Sequence, residues 1–197
     1  MKLLFATHNE GKLAEMSALI ASHELAVELV TPRDVGSTWQ VVEDRETFEG
    51  NARKKAEELS VRTGLLTLAD DSGLEVDALG GAPGVRSARY AGEPSDDQRN
   101  MTRLLVALAG VPHPRRARFR CVLALARGGK TLAVEHGTLD GAIAEAPSGS
   151  NGFGYDPIFL VGPTRTLAEL PMAEKNRLSH RGQAMRRMTL RLEELYG

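Results

Sequence analysis

Near the middle of the chain two adjacent aspartates close an apolar run, and no other feature constrains the fold more. Leu65-Leu66-Thr67-Leu68-Ala69 reads as a short buried strand that stops at Asp70-Asp71-Ser72-Gly73. Polar residues at the end of a buried strand are where open α/β sheets place their ligand sites. Neighbouring carboxylates repel, so a fold that keeps them together needs a compensating charge. A divalent cation is the usual one, because hard oxygen ligands suit Mg²⁺. The alternative is a plain turn, since Asp, Ser and Gly are also turn formers.

The 197 residues suffice for one large domain, or for two lobes sharing one core. Hydrophobic residues at 42% and charged residues at 26% argue against global disorder. Lys plus Arg number 25 and Asp plus Glu 26, a formal charge of -1. That balance speaks against a nucleic-acid coat held by bulk charge, yet leaves room for a local basic pocket. Arg115, Arg116, Arg118 and Arg120 are therefore read as the exposed edge of a strand. The single cysteine, Cys121, lies in the apolar run Cys121-Val122-Leu123-Ala124-Leu125-Ala126 and reads as a buried structural thiol. The apolar start Leu3-Leu4-Phe5-Ala6 is too short for a signal peptide, and no later run approaches a membrane span. The expectation is a soluble cytoplasmic protein with no membrane partner.

Along the chain, residues 2–6 read as a first strand ending in Thr7-His8-Asn9-Glu10-Gly11-Lys12, followed by a helix with Leu13, Met16, Ala18, Leu19 and Ile20 mostly on one side. A strand, a polar turn and a helix start can set backbone N–H groups against a phosphate, with the Lys12 ammonium within reach of the same anion. The spacing is not that of a P-loop. Residues 25–30 read as a second strand, and residues 47–62 as a helix with Phe48, Ala52, Ala56 and Leu59 facing the core. Asn51, Lys55 and Glu58 fall on another face, where Asn51 and Lys55 would be adjacent donors if that face lines a cleft. The glycines and proline of residues 79–92 forbid a regular element, while Arg86, Arg89 and Tyr90 within them favour function.

A helix is expected from Ser95 to about Leu108, with an acidic first turn, and Gly128-Gly129 join two strands as a β-hairpin. Gly149-Ser150-Asn151-Gly152-Phe153-Gly154-Tyr155-Asp156-Pro157 is not a dinucleotide fingerprint, but small residues around Phe153 let a flat ring approach and stack. A strand is expected at 158–161. Ser179 reads as the N-cap of a final helix with the stripe Ala184, Met185, Met188, Leu192 and Leu195. His180 and Arg181 are cations in a first turn, which the helix dipole disfavours unless an anion or polar ligand is present.

Five segments then fall in one familiar order and spacing: Thr7 to Lys12; Thr47-Phe48 with Asn51-Ala52 and Lys55-Ala56; Ala69-Asp70-Asp71-Ser72-Gly73; Phe153-Gly154-Tyr155-Asp156-Pro157; and Ser179-His180-Arg181. Over nearly its whole length the chain resembles the inosine/xanthosine triphosphate pyrophosphatases, which clear deaminated purine nucleotides. Asp-Asp-Ser-Gly-Leu with Gly-Gly-Ala-Pro-Gly-Val and Ser-Ala-Arg-Tyr, and Gly-Phe-Gly-Tyr-Asp-Pro, carry the resemblance most specifically.

The resemblance implies an α/β fold: an elongated mixed central sheet with flanking helices, one domain with two lobes around a cleft, and a homodimer. It implies Mg²⁺-dependent hydrolysis of ITP, dITP and XTP to the monophosphate and pyrophosphate. By match, Thr7, His8, Asn9, Glu10, Gly11 and Lys12 would hold the triphosphate, with Asn51 and Lys55 beside it. Asp71 would be the catalytic base or a metal ligand, with Glu43 completing the metal site and Asp70 sharing it. Ser72 would touch the nucleotide; Phe153, Gly154, Tyr155, Asp156, Lys175, His180 and Arg181 would contact base and sugar. Many relatives carry Glu where this chain has Gly50, so Glu43, Glu46 or Glu49 must compensate if that glutamate helps hold the metal.

Hydrolysis between the α- and β-phosphates means attack of water on the α-phosphorus and departure of a heavily charged pyrophosphate. That chemistry needs a metal to offset charge and a carboxylate to take a proton. Hypoxanthine and xanthine carry a 6-keto acceptor where adenine has an amino donor. Donors from His180, Arg181 or the backbone aimed at that oxygen would discriminate by ~10⁴-fold or more. Two rival functions are a pyrophosphatase for modified pyrimidines or methylated purines, and a nucleotide sensor without turnover.

Overall fold

The computed structural model describes residues 1–23 and 25–196. Its elements follow in the order β1 (Lys2–Phe5), α1 (Glu10–Ser22), β2 (Glu28–Val30), α2 (Phe48–Thr63), β3 (Leu66–Val76), α3 (Asp97–Ala107), β4 (Arg116–Arg127), β5 (Lys130–Ile143), β6 (Phe159–Leu160), α4 (Met172–Leu178) and α5 (His180–Tyr196). One mixed sheet takes the strands in the order β2-β1-β3-β4-β5-β6. The α/β class expected from the sequence is the class found. No helix among the described residues is long and apolar enough to cross a membrane.

The chain divides into two compact units. The first holds Met1–Asp71, Cys121–Gly137 and the segment from Arg181 onward; the second holds Ser72–Arg120 and Thr138–His180. In the first unit β1 runs parallel to both neighbours, with Lys2 opposite Glu28 and Phe5 opposite Leu68. Its core packs Leu3, Phe5, Met16, Leu68, Leu123, Met185 and Met188. The connection from β1 goes to one side, to β2, and then crosses back to β3 on the other. Strand order therefore reverses beside β1, the place where open sheets bind ligands at the carboxyl ends of their strands. In the second unit β5 pairs antiparallel with β6, Ile143 opposite Phe159. Its core packs Leu74, Leu104, Phe119, Tyr155, Ile158 and Leu167.

Several elements differ from the sequence expectation. β3 does not stop at the aspartates but runs 11 residues, to Val76, with Asp70 and Asp71 inside it. A strand carries buried carboxylates when cations meet them, and here they do. β2 is confined to its last three residues, and β6 to two, because Asp156–Ile158 turns as a 3-10 helix first. Residues 79–92 are not irregular throughout: Gly84–Arg89 forms a 3-10 turn, fixed when the Ser87 hydroxyl accepts from Leu74 N at 2.8 Å and donates to Gly84 O at 2.6 Å. The short helix α4 was not expected. Leu195 is exposed rather than on the buried stripe of α5. The hairpin is as expected, a two-residue turn at Gly128 and Gly129 with φ of +58° and +80°.

Candidate active site

In the first unit the end of β1 feeds an exposed polar turn. Thr7 Oγ1 accepts from Asn9 N at 3.1 Å, and Asn9 caps α1 by accepting from Lys12 N at 2.9 Å. This directs the Lys12 side chain back along the turn to Asp70 Oδ1, at 2.6 Å. His8 and Glu10 are exposed and Gly11 is half-buried on the same turn.

Side chains alternate along a strand, so neighbours face opposite ways. That alternation resolves the repulsion between the two aspartates. Asp70 Oδ1 takes Lys12, while Oδ2 takes Arg181 Nε at 2.8 Å and the Cys121 thiol at 3.2 Å. Arg181, 1% exposed, is held on its far side by Glu15, also buried. Asp71 meets a different cation: Lys55 Nζ lies 3.3 Å from its Oδ1. The same ammonium donates to Glu43 Oε1 at 2.7 Å and to the Asp70 backbone carbonyl at 2.7 Å.

The electrostatic consequences differ. Burial works to raise the Asp70 pKa, but Arg181 and Lys12 overcome it and hold the carboxyl well below the usual range. Burial dominates at Asp71 and pushes it above the ordinary 3.8, with Lys55 opposing. Burial alone would lower Lys55, but Asp71 and Glu43 hold its pKa raised, so it stays an ammonium. The Cys121 thiol is pushed well up by burial and by Asp70.

Both Asp70 oxygens are thus engaged by Lys12, Arg181 and the Cys121 thiol, and Arg181 reaches Asp70 and Glu15 from within the core. Asn51 and Lys55, read as adjacent donors on one face of α2, are both buried. Asn51 accepts from Arg45 N at 2.9 Å and donates to Arg45 O at 3.3 Å. Glu15 was missed by sequence reasoning. The available signal is its place on α1, next to Met16 and one turn before Leu19.

Among the described residues no three His, Cys, Asp or Glu side chains gather as a ready metal cage. Mg²⁺ does not ask for one, since it is commonly held by one or two carboxylates, waters and substrate phosphates. The residues present fit that pattern. Asp71 Oδ2 is buried with no hydrogen-bond partner among the described residues, and Glu43 reaches the same ammonium as Asp71. The cluster also sets four carboxylates (Glu15, Glu43, Asp70, Asp71) against three cations (Lys12, Lys55, Arg181). A polyphosphate entering such a cluster needs an additional positive charge.

In the second unit Ser72 is half-buried on β3. Asp156 and Lys175 form a buried ion pair at 2.5 Å, and Asp156 Oδ2 also accepts from Phe153 N at 2.8 Å. The Lys175 ammonium stands 5.0 Å from the Phe153 ring centre. Gly154 N donates to Asp97 Oδ2 at 2.7 Å, and the Tyr155 hydroxyl donates to Ser87 O at 2.9 Å. His180 stacks on Phe119, ring centres 4.8 Å apart and planes 9° apart. The four sequence-predicted residues 153–156 and Lys175 are thus one locally braced group, while His180 is placed by an aromatic stack.

A mixed-sheet α/β protein with a buried, raised-pKa carboxylate inside β3, next to the switch point, and with Lys12 and Lys55 paired to its two adjacent aspartates is, as a class, a phosphate-handling protein. The Ham1 family profile matches residues 3–190, and the chain belongs to the Ham1 family. It is 50% identical over 186 residues to the dITP/XTP pyrophosphatase of Shouchella clausii, covering 93% of this chain and 92% of that one. Among solved structures it resembles a HAM1 protein from Coxiella burnetii with a TM-score of 0.87 and 41% identity, over 98% and 99% of the two chains. It also resembles the nucleoside-triphosphatase / dITP/XTP pyrophosphatase from Mycobacterium abscessus, with a TM-score of 0.76 and 46% identity, over 95% and 98%.

Proposed function

We propose that this chain is a nucleoside triphosphate pyrophosphatase that hydrolyses the deaminated purine nucleotides ITP, dITP and XTP to monophosphate and pyrophosphate, with Mg²⁺ as cofactor. The observation that carries the reading is Asp71: a buried carboxylate, raised in pKa, with one oxygen unpartnered among the described residues, beside Lys55 and Glu43. Relatives at 44–50% identity over nearly the whole chain that bear the name dITP/XTP pyrophosphatase support it.

Asp71 and Glu43 would hold the metal, which when bound offsets charge on the phosphate oxygens. Asp71 accepts the proton of the water that attacks the α-phosphorus. General-base catalysis by a positioned carboxylate is typically worth ~10²–10⁴-fold, and one held above its ordinary pKa is a stronger base than a free one. The bond between the α-phosphorus and the bridging oxygen breaks, and pyrophosphate leaves with the electron pair. Lys12, together with the turn from Thr7, binds the phosphates, and Lys55 stabilises the charge that develops. Base and sugar fall to the group around Phe153, Asp156 and Lys175 and to His180, as the family resemblance implies. That resemblance also supports a homodimer, and a role in cleansing the nucleotide pool supports a cytoplasmic setting.

The test is to incubate the protein with ITP, XTP, GTP and ATP, with Mg²⁺ and then with chelator, and to quantify pyrophosphate and orthophosphate separately. Pyrophosphate from ITP and XTP alone, and only with metal, is the expected result. Orthophosphate would mean attack at the terminal phosphate, and no product from any of the four would favour the modified-nucleotide or sensor function.

A further inference from the structure

Residues 42–45 belong to no helix or strand, yet α2 holds each of them. Asn51 holds the Arg45 backbone from both sides, its Oδ1 accepting from Arg45 N at 2.9 Å and its Nδ2 donating to Arg45 O at 3.3 Å. One turn on, Lys54 Nζ donates to Val42 O at 2.8 Å and to Asp44 Oδ1 at 2.9 Å. Between these two anchors Glu43 meets Lys55. The approach is close enough to exclude a side chain at Gly50, in the first turn of α2: a Cβ there would lie 2.9 Å from Arg45 Cβ and 3.1 Å from Thr47 Oγ1.

We propose that Asn51, Lys54 and Gly50 are positioning residues that strap the segment carrying Glu43 onto α2 and so set the divalent-metal affinity of the Glu43–Asp71 pair. The inference rests on the metal reading above and assigns Asn51 to the strap. In this chain a Cβ at Gly50, in the first turn of α2, would push Arg45 away, and with it the carboxylate two residues before.

The strap makes a prediction that ordinary structural damage does not. Ala is a better helix former than Gly, so Gly50→Ala on helix propensity alone would leave the fold as stable or more so. Displacement of Glu43 would nonetheless weaken metal binding, and partners that orient a ligand typically contribute 10–100-fold to affinity. Mn²⁺ binding, read by the electron paramagnetic resonance of the free ion without nucleotide, is measured for the wild type, Glu43→Gln, Asn51→Ala, Gly50→Ala and Arg53→Ala, with thermal melts alongside. Arg53 pairs with Glu49 on the exposed side of the same helix and serves as the control. The expected result is Mn²⁺ binding by the wild type and by Arg53→Ala alike, and affinity lower by roughly 10–100-fold in Glu43→Gln, Asn51→Ala and Gly50→Ala, with the Gly50→Ala protein still melting as a folded, cooperative unit. Wild-type affinity in Asn51→Ala and Gly50→Ala, with binding lost in Glu43→Gln, overturns the strap and leaves the metal site standing. Equal binding by the wild type and Glu43→Gln, or none by either, removes the metal site itself and the strap with it.

Discussion

The Asp71 carboxylate stands 3.3 Å from the Lys55 ammonium, and that ammonium also holds Glu43 at 2.7 Å. One buried cation thus spans two carboxylates from segments far apart in sequence. Replacing Asp71 by Asn keeps the shape and removes the base. Turnover of ITP should fall by ~10²–10⁴-fold, by more than nucleotide binding measured by calorimetry weakens. Full turnover in Asp71→Asn would place the base elsewhere.

The raised Asp71 pKa has a kinetic sign and a stability sign. A base works ionised, so kcat/KM falls as pH drops through the pKa that Asp71 has in the working enzyme, which burial raises and Lys55 lowers. Lys55 lowers that pKa, so Lys55→Met should move the acid limb of the profile to higher pH. An unmoved limb would mean that another group titrates.

For stability, an acid raised on folding contributes favourably below its unfolded pKa and loses that contribution as pH rises through the folded value. At neutral pH in chelator the ionised Asp71 is therefore a cost, and Asp71→Asn should melt at or above the wild type, the difference closing toward acid pH. A lower melting temperature for the variant at neutral pH would contradict the shift.

Arg181 carries the opposite sign. It holds Asp70 well below the ordinary carboxylate range, which contributes stability above 3.8 that is lost as pH falls through the folded value. Arg181→Leu strands the buried carboxylates of Asp70 and Glu15 and should cost about 3–5 kcal/mol in urea unfolding at neutral pH. A loss under about 1 kcal/mol would match an exposed ion pair instead.

Glu15 and Arg181 also show where the sequence ran out. Their types were plain, but their meeting spans 166 positions, and no local pattern reports such a pair. A glutamate within an apolar stripe reads as solvent-facing until its cation is known. Asp70 and Asp71 were legible as a site, and the strand before them as buried. Their continuation inside β3 was not, because charge normally ends an apolar run, and here buried Lys55 and Arg181, with half-buried Lys12, carry the strand past it. The turn at Gly128 and Gly129 and the cap at Asn9 were legible because those residues decide their geometry locally.

Cys121 is buried, and its thiol is pushed well above the ordinary 9.0 by burial and by Asp70. It should resist an aromatic disulfide reagent in the native state and react fully once the chain is unfolded. Rapid labelling of the folded protein would contradict the contact with Asp70.

The most direct measurement is ITP hydrolysis in oxygen-18 water, with mass analysis of both products. Attack on the α-phosphorus, with Asp71 taking the proton, puts the heavy oxygen in the monophosphate and leaves the pyrophosphate unlabelled. Label in the pyrophosphate would mean attack at the β-phosphorus and would contradict the account.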